Sequence, residues 1–278
     1  MSRLNLVTLP IGNLADISKR ALETLNEASV VFCEDTKSFR KLMGLLGVSL
    51  EGKQIDSFHD HSQYEKVGRI IQLLNQKRDV VFVSEAGSPI VSDPAFPIVD
   101  AIANETDHQI ETIPGCSAVI AAIELAALPA TPFHFHGFLP RDKNGVNQSL
   151  RECFNQYGTH VLFESPNRIE KTVDILCEFA PEETRVVICR EITKKFQQVL
   201  RFTPSSWPEK RAEMTFQGEC VLLVYVSKED VLPSLKIEQI RELAENVMQR
   251  PGHVKTVSKL LSKILDLKTD EVYKHLNS

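Results

Sequence analysis

Over most of the chain, short apolar runs alternate with stretches whose apolar residues recur every three or four positions. Leu4-Asn5-Leu6-Val7-Thr8 predicts a strand, the turn Pro10-Ile11-Gly12-Asn13 follows, and Ala21, Leu22, Leu25 and Ala28 then share one face of a helix. Residues 30–33, 55–58 and 80–83 predict further strands. Residues 39–46 read as a helix stopped by Gly47, and Val67, Ile70, Ile71 and Leu74 mark another. Continuous apolar strands separated by helices imply a mostly parallel sheet covered on both faces. Right-handed crossovers then gather the strand C-termini along one edge, where open α/β sheets bind their ligands.

The pattern breaks between Ile113-Pro114-Gly115 and Leu128-Pro129-Ala130-Thr131-Pro132. A second strand set follows at 135–138, 161–164, 186–190 and 221–226, with a helix over 168–179. Pro233 opens a polar, lysine-containing tail with helices expected over 237–249, 256–265 and 269–276. The expected division is an N-terminal α/β domain over 1–115, a C-terminal α/β domain over 116–230 and a helical tail over 231–278. The length of 278 residues agrees, at about 150 residues per domain.

Composition narrows the class. The six cysteines (33, 116, 153, 177, 189, 220) stand singly, mostly in apolar runs, with no Cys-x-x-Cys pair. They read as reduced core residues of a cytoplasmic protein. The N-terminus enters a strand without a signal-peptide apolar core, and the most apolar helix, over 117–128, is too short for a bilayer and contains Glu124, so no membrane partner is expected. The formal net charge of -5 argues against a nucleic-acid coat held by bulk charge, while leaving room for a specific nucleic acid bound by local basic patches.

Five turns follow apolar strands: Pro10 to Asn13, Glu34-Asp35-Thr36-Lys37, Phe58-His59-Asp60-His61, Glu85-Ala86-Gly87-Ser88-Pro89 and Pro114-Gly115-Cys116-Ser117-Ala118. Together on one sheet edge they describe a cleft. No Gly-x-Gly, Walker loop, Gly-x-Ser-x-Gly or His-Glu-x-x-His is present, so the dinucleotide, P-loop, α/β-hydrolase and zincin signatures are absent. His59/His61 and His134/His136 are His-x-His pairs, and on a strand such pairs share a face. With no accompanying Cys or carboxylate at ligand spacing, no metal is expected; Phe133 and Phe135 are assigned to the core and the two neighbouring histidines to solvent or a domain seam.

The five turns, in this order, resemble the tetrapyrrole-methylase superfamily of S-adenosylmethionine-dependent methyltransferases. The resemblance runs from Leu6-Val7 and Pro10 to Ile17 through Cys33 to Thr36, Phe58 to His61, Val83 to Pro94 and Pro114 to Ala118. It continues through Phe135 to Pro140, Phe163-Glu164-Ser165-Pro166-Asn167-Arg168, Arg190 to Lys194 and Gly218-Glu219. Within the superfamily the motifs look like the branch that methylates the 2'-hydroxyl of a cytidine in small-subunit (16S) ribosomal RNA. Leu9, Lys37, Glu85, Ala95, Cys116, Asn167 and Gln197 depart from the family's usual Thr, Arg, Asp, Gly, Pro, His and Glu. These departures leave two alternatives: a relative that methylates a tetrapyrrole carbon, and a non-catalytic cofactor- or RNA-binding paralogue.

The resemblance implies S-adenosylmethionine held between two α/β domains, in a homodimer. By position, Pro10, Gly12, Glu85, Ala86, Gly87, Ser88, Pro89, Ile90, Ser117 and Ala118 are expected against the cofactor, with Phe163, Glu164, Arg190 and Gly218 closing the far side. A ribose hydroxyl is a poor nucleophile and gains from a general base, for which Glu34, Asp35, His59 and His61 are the candidates. Lys37, Arg40, Lys41, Arg141, Lys194 and Lys195 are the candidate RNA contacts, and the tail is a dimerisation or rRNA-docking candidate.

Overall fold

The structure, a computed structural model, describes residues 2–58, 63–93, 95–231, 254–265 and 267–276. The chain divides into two compact units, one ending at Val231 and the other following it.

The first unit contains two five-stranded sheets. Strands β1 (Arg3–Val7), β2 (Val30–Cys33), β3 (Gln54–Ser57), β4 (Val80–Val83) and β5 (Gln109–Ile113) form the first, in the order β3-β2-β4-β1-β5. Every pairing in it is parallel. Helices α1 (Lys19–Glu27), α2 (Thr36–Leu46), α3 (Gln63–Asn75) and α4 (Phe96–Glu105) make the crossovers. Alternation along β2 and β4 explains why these two are apolar throughout. Val30, Phe32, Val80 and Phe82 join Ile70, Leu74 and Ile98 of α3 and α4 in one core. Val31, Cys33, Val81 and Val83 join Ala21, Leu25, Phe39 and Met43 of α1 and α2 in another. Strands β2 and β4 each feed both cores, so no polar stripe is left on them. Gly47 ends α2 in the left-handed conformation, φ 71°, as its position in the sequence predicts.

Helix α5 (Ala118–Ala126) leads from the first sheet to the second, whose order is β6-β7-β10-β8-β9. Its strands are β6 (Phe133–Phe138), β7 (Gly158–Glu164), β8 (Arg185–Arg190), β9 (Gln198–Phe202) and β10 (Cys220–Val226). Here only β6 and β7 run parallel, while β7, β10, β8 and β9 pair antiparallel, so the mostly parallel pattern stops at the first sheet. One face packs on α6 (Lys143–Cys153) and α7 (Ile169–Cys177) through Leu150, Phe154, Val173, Leu162 and Leu222. The other packs on α5 through Val119, Ala122, Ile123, Val161 and Leu223, with Ile11 of the first half against the same core.

The second unit contains helices Val254–Leu265 and Thr269–Leu276, with Ser262 Oγ 3.1 Å from Thr269 Oγ1. The helix expected over 237–249 lies outside the described residues. No described helix is long and apolar enough to cross a membrane.

Candidate functional site

The C-terminal ends of β1, β4 and β5 are stitched together by short contacts. Leu9 N–H donates to Gly87 O and Gly87 N–H to Leu9 O, both at 3.0 Å. This two-way bridge requires the turn after β4 to reverse sharply, and Gly87 does so at φ 70°, where a side chain is strained. Ser84 Oγ, buried at the end of β4, tightens that turn by donating to Ala86 O at 3.0 Å. From the β5 side, Cys116 Sγ donates to Leu9 O at 3.3 Å. Ser117 then caps α5, its hydroxyl accepting from Ile120 N–H. Pro10 is buried and Gly12 exposed at this junction.

Opposite lies the loop after β8. Glu191 N–H donates to Glu219 O and Glu219 N–H to Glu191 Oε1, both at 2.9 Å, with Glu191 and Thr193 at φ 50° and 67°. Lys194 Nζ sits between Glu191 Oε1 and Glu219 Oε2, 2.9 Å from each. Burial works against the ammonium, but the two carboxylates outweigh it and hold the Lys194 pKa above the usual lysine value. The loop rests on the first half at Gly12: a Cβ there would lie 2.5 Å from Lys194 Cγ and 3.1 Å from Ile192 O. Thr193 Oγ1, beside the same contact, is buried without a hydrogen-bond partner among the described residues. Further along the seam, Ser92 Oγ comes within 3.5 Å of where a Cβ on Gly137 of β6 would stand.

Between these walls is a cavity of about 330 Å³, within the range of small-molecule sites. Leu9, Pro10, Ile11, Leu14, Phe39 and Leu42 give it apolar surface, and Asp35, Ser84, Glu85, Lys194 and Glu219 give it polar groups. That lining suits a ligand with both apolar and polar groups.

The acids at this edge divide by environment. Asp35 is the N-cap of α2: its Oδ1 accepts from Ser38 N–H at 2.6 Å, and that bond above all holds its pKa below the usual value. Asp93 is the opposite case. Burial, then the charges of Glu34 and Glu85, push its carboxyl up to about 7, against a bond from Ser84 that favours the anion. Asp93 is absent from the sequence candidates, and its own neighbours Ser92 and Pro94 say only that the chain turns there. His59 and His61 lie outside the described residues.

Several of the sequence-derived positions have defined local tasks. Glu164 is buried at 2% exposure; its Oε1 accepts from Ser165 N–H at 2.7 Å and pairs with Arg168 at 2.5 Å, and its Oε2 accepts from Thr172 Oγ1 at 2.8 Å. Its carboxylate thus organises the start of α7. Arg190 donates through Nε to Gln217 O and through Nη1 to Gln198 Oε1 at 2.9 Å, tying β8 to the loop before β10. Gly218 turns that loop at φ 77° beneath the Glu191 carboxylate. Phe163 stacks edge-on with Phe135 and Phe138, at 5.0 and 5.3 Å. After Gly87, Ser88 is half-buried, Pro89 buried and Ile90 exposed; Ala118 is half-buried. Lys37, Arg40 and Lys41 are exposed on α2, and Lys41 lines the cavity. Arg141 borders a separate surface cavity with Lys143, Arg168 and Lys171. Lys195 lies over the exposed Phe196 ring, 5.6 Å from its centroid.

His136 is exposed, as expected, and His134 half-buried, but both rings stack on His160 of β7, at 4.8 and 5.1 Å. Phe133, assigned to the core, is 42% exposed, because it opens β6 at the edge of the sheet.

Residues 3–206 match the family of tetrapyrrole (corrin/porphyrin) methylases. The ribosomal RNA small subunit methyltransferase I of Halalkalibacterium halodurans is 36% identical over 230 residues, covering 83% of this chain and 78% of that protein. The proteins of the same name from Mycoplasma pneumoniae and Streptococcus pyogenes serotype M3 are 29% and 34% identical, covering 98% and 99% of this chain and 98% and 94% of their own. Among solved structures, diphthine synthase superposes with a TM-score of 0.60 at 19% identity, covering 88% of this chain and 96% of its own. A cobalt precorrin-4 methyltransferase gives 0.57 at 20%, covering 83% and 96%. At such identities these two structures speak to the fold alone.

Proposed function

The chain belongs to the tetrapyrrole (corrin/porphyrin) methylase family, and from that footing we propose that it transfers a methyl group from S-adenosylmethionine to the 2'-hydroxyl of a cytidine in small-subunit ribosomal RNA. The observation that carries the substrate class is the 36% identity to a ribosomal RNA small subunit methyltransferase I over 83% of this chain. The ribose position rests on the motif resemblance.

S-adenosylmethionine, when bound, supplies an electrophilic methyl group on a cationic sulfur. The chain's share is alignment, charge and proton acceptance. Pro10, Gly12, residues 85–90, Ser117 and Ala118 form one wall of the proposed cofactor site, and Phe163, Glu164, Arg190 and Gly218 support the other. Because Glu164 and Arg190 spend their polar atoms on the protein itself, their part is to hold that wall in position. Glu34, Glu85 and Asp93 make this edge electronegative, which favours a cation there. In-line displacement depends on holding the two reactants in register, so rigid loops carry much of the rate.

Of the candidate bases, Asp35 is the weakest, its charged form being held by the helix cap. Asp93, beside Glu34, has a proton affinity matched to neutral pH and is our choice for the group that takes up the hydroxyl proton. We assign Lys37, Arg40 and Lys41, exposed on α2 with Lys41 lining the cavity, to the RNA backbone, and Arg141 and Lys195 to further RNA contacts elsewhere on the surface. Lys194, paired with two carboxylates, contributes less. We assign the two halves 1–115 and 116–230 to the cleft's two walls and 231–278 to an accessory tail, in a cytoplasmic homodimer.

The test is transfer of labelled methyl from S-adenosylmethionine to isolated small subunits lacking the modification. The expected product is labelled rRNA in which one cytidine resists alkaline cleavage. No incorporation at saturating cofactor, or transfer to a uroporphyrinogen-type acceptor instead, would refute the assignment.

A further inference from the structure

On the α6 face of the second sheet, and outside the set of residues that line the cavity, three metal-ligating side chains meet. We propose that His136, Cys153 and His160 bind one borderline-soft divalent cation of the Zn2+ class.

The fold brings them together in a way their spacing conceals. His134 and His160 are paired across β6 and β7, and the register shifts between Phe135 and Gly137, so His136 is the extra residue of a β-bulge. A bulge re-aims its side chain. Here the His136 ring stacks on His160, and its Nε2 lies 2.9 Å from His160 Nδ1. Cys153, at the last position of α6, brings Sγ to 3.8 Å from His136 Nε2. All three ligand atoms lie within 4.8 Å of one another. Tetrahedral bonds of about 2.0–2.3 Å separate neighbouring ligand atoms by about 3.3–3.8 Å. The Sγ–Nε2 distance already matches, the two nitrogens need to part by a few tenths of an ångström, and Sγ and His160 Nδ1, within 4.8 Å, need to close by about an ångström.

The surroundings favour a metal over a simple histidine pair. His160 Nε2–H donates to Gln156 O at 2.8 Å, which leaves Nδ1 as a lone pair pointing at the cluster. This is the outer-shell bond that orients a ligating imidazole. Cys153 and His160 are buried, whereas His136 is exposed, giving a path for entry and a solvent-side position for a fourth, water ligand. A thiolate and two imidazoles suit Zn2+ and disfavour Mg2+ or Ca2+. Binding replaces the thiol proton, which leaves to solvent, with an Sγ–metal bond; nothing is oxidised or reduced. The ion would tie edge strand β6 to β7 and α6, a structural clamp. The sequence expectation of no metal rested on the lack of a cysteine near either His-x-His pair, and the partner here is 17 residues from His136.

The full-length chain, stripped with chelator and desalted, is titrated with Co2+. One equivalent is expected to give a thiolate-to-cobalt band in the near ultraviolet, bleached by one equivalent of Zn2+. Cys153→Ser should lose that band. His136→Gln, at an exposed position and with its fold checked by circular dichroism, should weaken binding by about tenfold or more. If Cys153→Ser does not fold, His136→Gln alone decides. A Zn2+-dependent rise in melting temperature should appear in the wild type and shrink in His136→Gln. Absence of the thiolate band, metal lost on desalting, or an unchanged titration in His136→Gln overturns the proposal.

Discussion

Replacing Gly12 with alanine tests whether the two halves of the cleft are locked by one close contact. The added methyl would stand 2.5 Å from Lys194 Cγ, 2.8 Å from Thr193 Oγ1 and 3.1 Å from Ile192 O. A flexible lysine tip would ordinarily move aside, but Lys194 is held at its far end by Glu191 and Glu219, 2.9 Å from each. Ile192 O is main chain, and the neighbouring Glu191 and Thr193 already sit at positive φ, so the loop has little room to adjust. Overpacking of this kind costs about 1–3 kcal/mol. If the contact persists, the cost appears as lost stability in urea unfolding. If the loop lifts away, the cleft opens and the cost appears as weaker S-adenosylmethionine binding by calorimetry, about five- to 150-fold. The two losses together should sum to the packing cost. Gly12→Ala with wild-type stability and wild-type affinity would refute the reasoning, because the contact would then carry no energy in either state.

Three further substitutions probe separate links in the chain. Glu164→Ala removes the acceptor of the buried Thr172 hydroxyl and Ser165 N–H, while Arg168 keeps Pro140 O and Leu139 O, and should cost about 1–3 kcal/mol in urea unfolding, with loss of cofactor binding only as folding fails. Gly44→Ala, on the exposed side of α2 with nothing within 4 Å of the new methyl, should stabilise by about 0.5–1 kcal/mol, read as a rise in melting temperature. Asp93 titrates at about 7 in the folded protein against an ordinary 3.8, so the native state holds its proton more tightly and loses stability as pH climbs through that interval. Asp93→Asn should therefore flatten the pH dependence of stability and gain about 1 kcal/mol relative to wild type at pH 8, the carboxyl being only half buried and partly screened by water. Methyl transfer by the variant should lose the limb of the pH–rate curve near 7.

The first sheet was legible because its strands have a single physical explanation. Val30 to Cys33 and Val80 to Val83 are apolar at every position, which only burial on both faces requires, and the helices between them show their own period. The second sheet reads less easily. Its strands look the same in sequence, because α5 covers one face and α6 and α7 the other, yet its pairings are mainly antiparallel. Apolar runs report burial and carry no sign of direction. Strand β9, Gln198–Phe202, escaped notice for the complementary reason: with Gln198, Arg201 and a half-buried Val199, it lies at the sheet edge, where the apolar signal is diluted.

The same distinction explains which site residues could be found. Turns at strand ends are local, so the loops at Pro10, Glu85 and Ser117 are recoverable from punctuation and are indeed stitched together around Leu9. A proton affinity depends on who stands nearby in space. Glu85 shares a loop with Asp93, but the charge of Glu34 reaches Asp93 only because β2 and β4 are neighbours, a pairing that their separation of some fifty residues does not announce. Glu164 is hidden for a related reason: it ends β7, and its partners Arg168 and Thr172 belong to the start of α7, so the contact exists only once the turn between strand and helix is known. His136 is the extreme case, since a bulge, a strand pairing and a helix end must all be known before its neighbours are. Chemistry written into one loop can be read from the chain, and chemistry assembled from three elements has to be read from the fold.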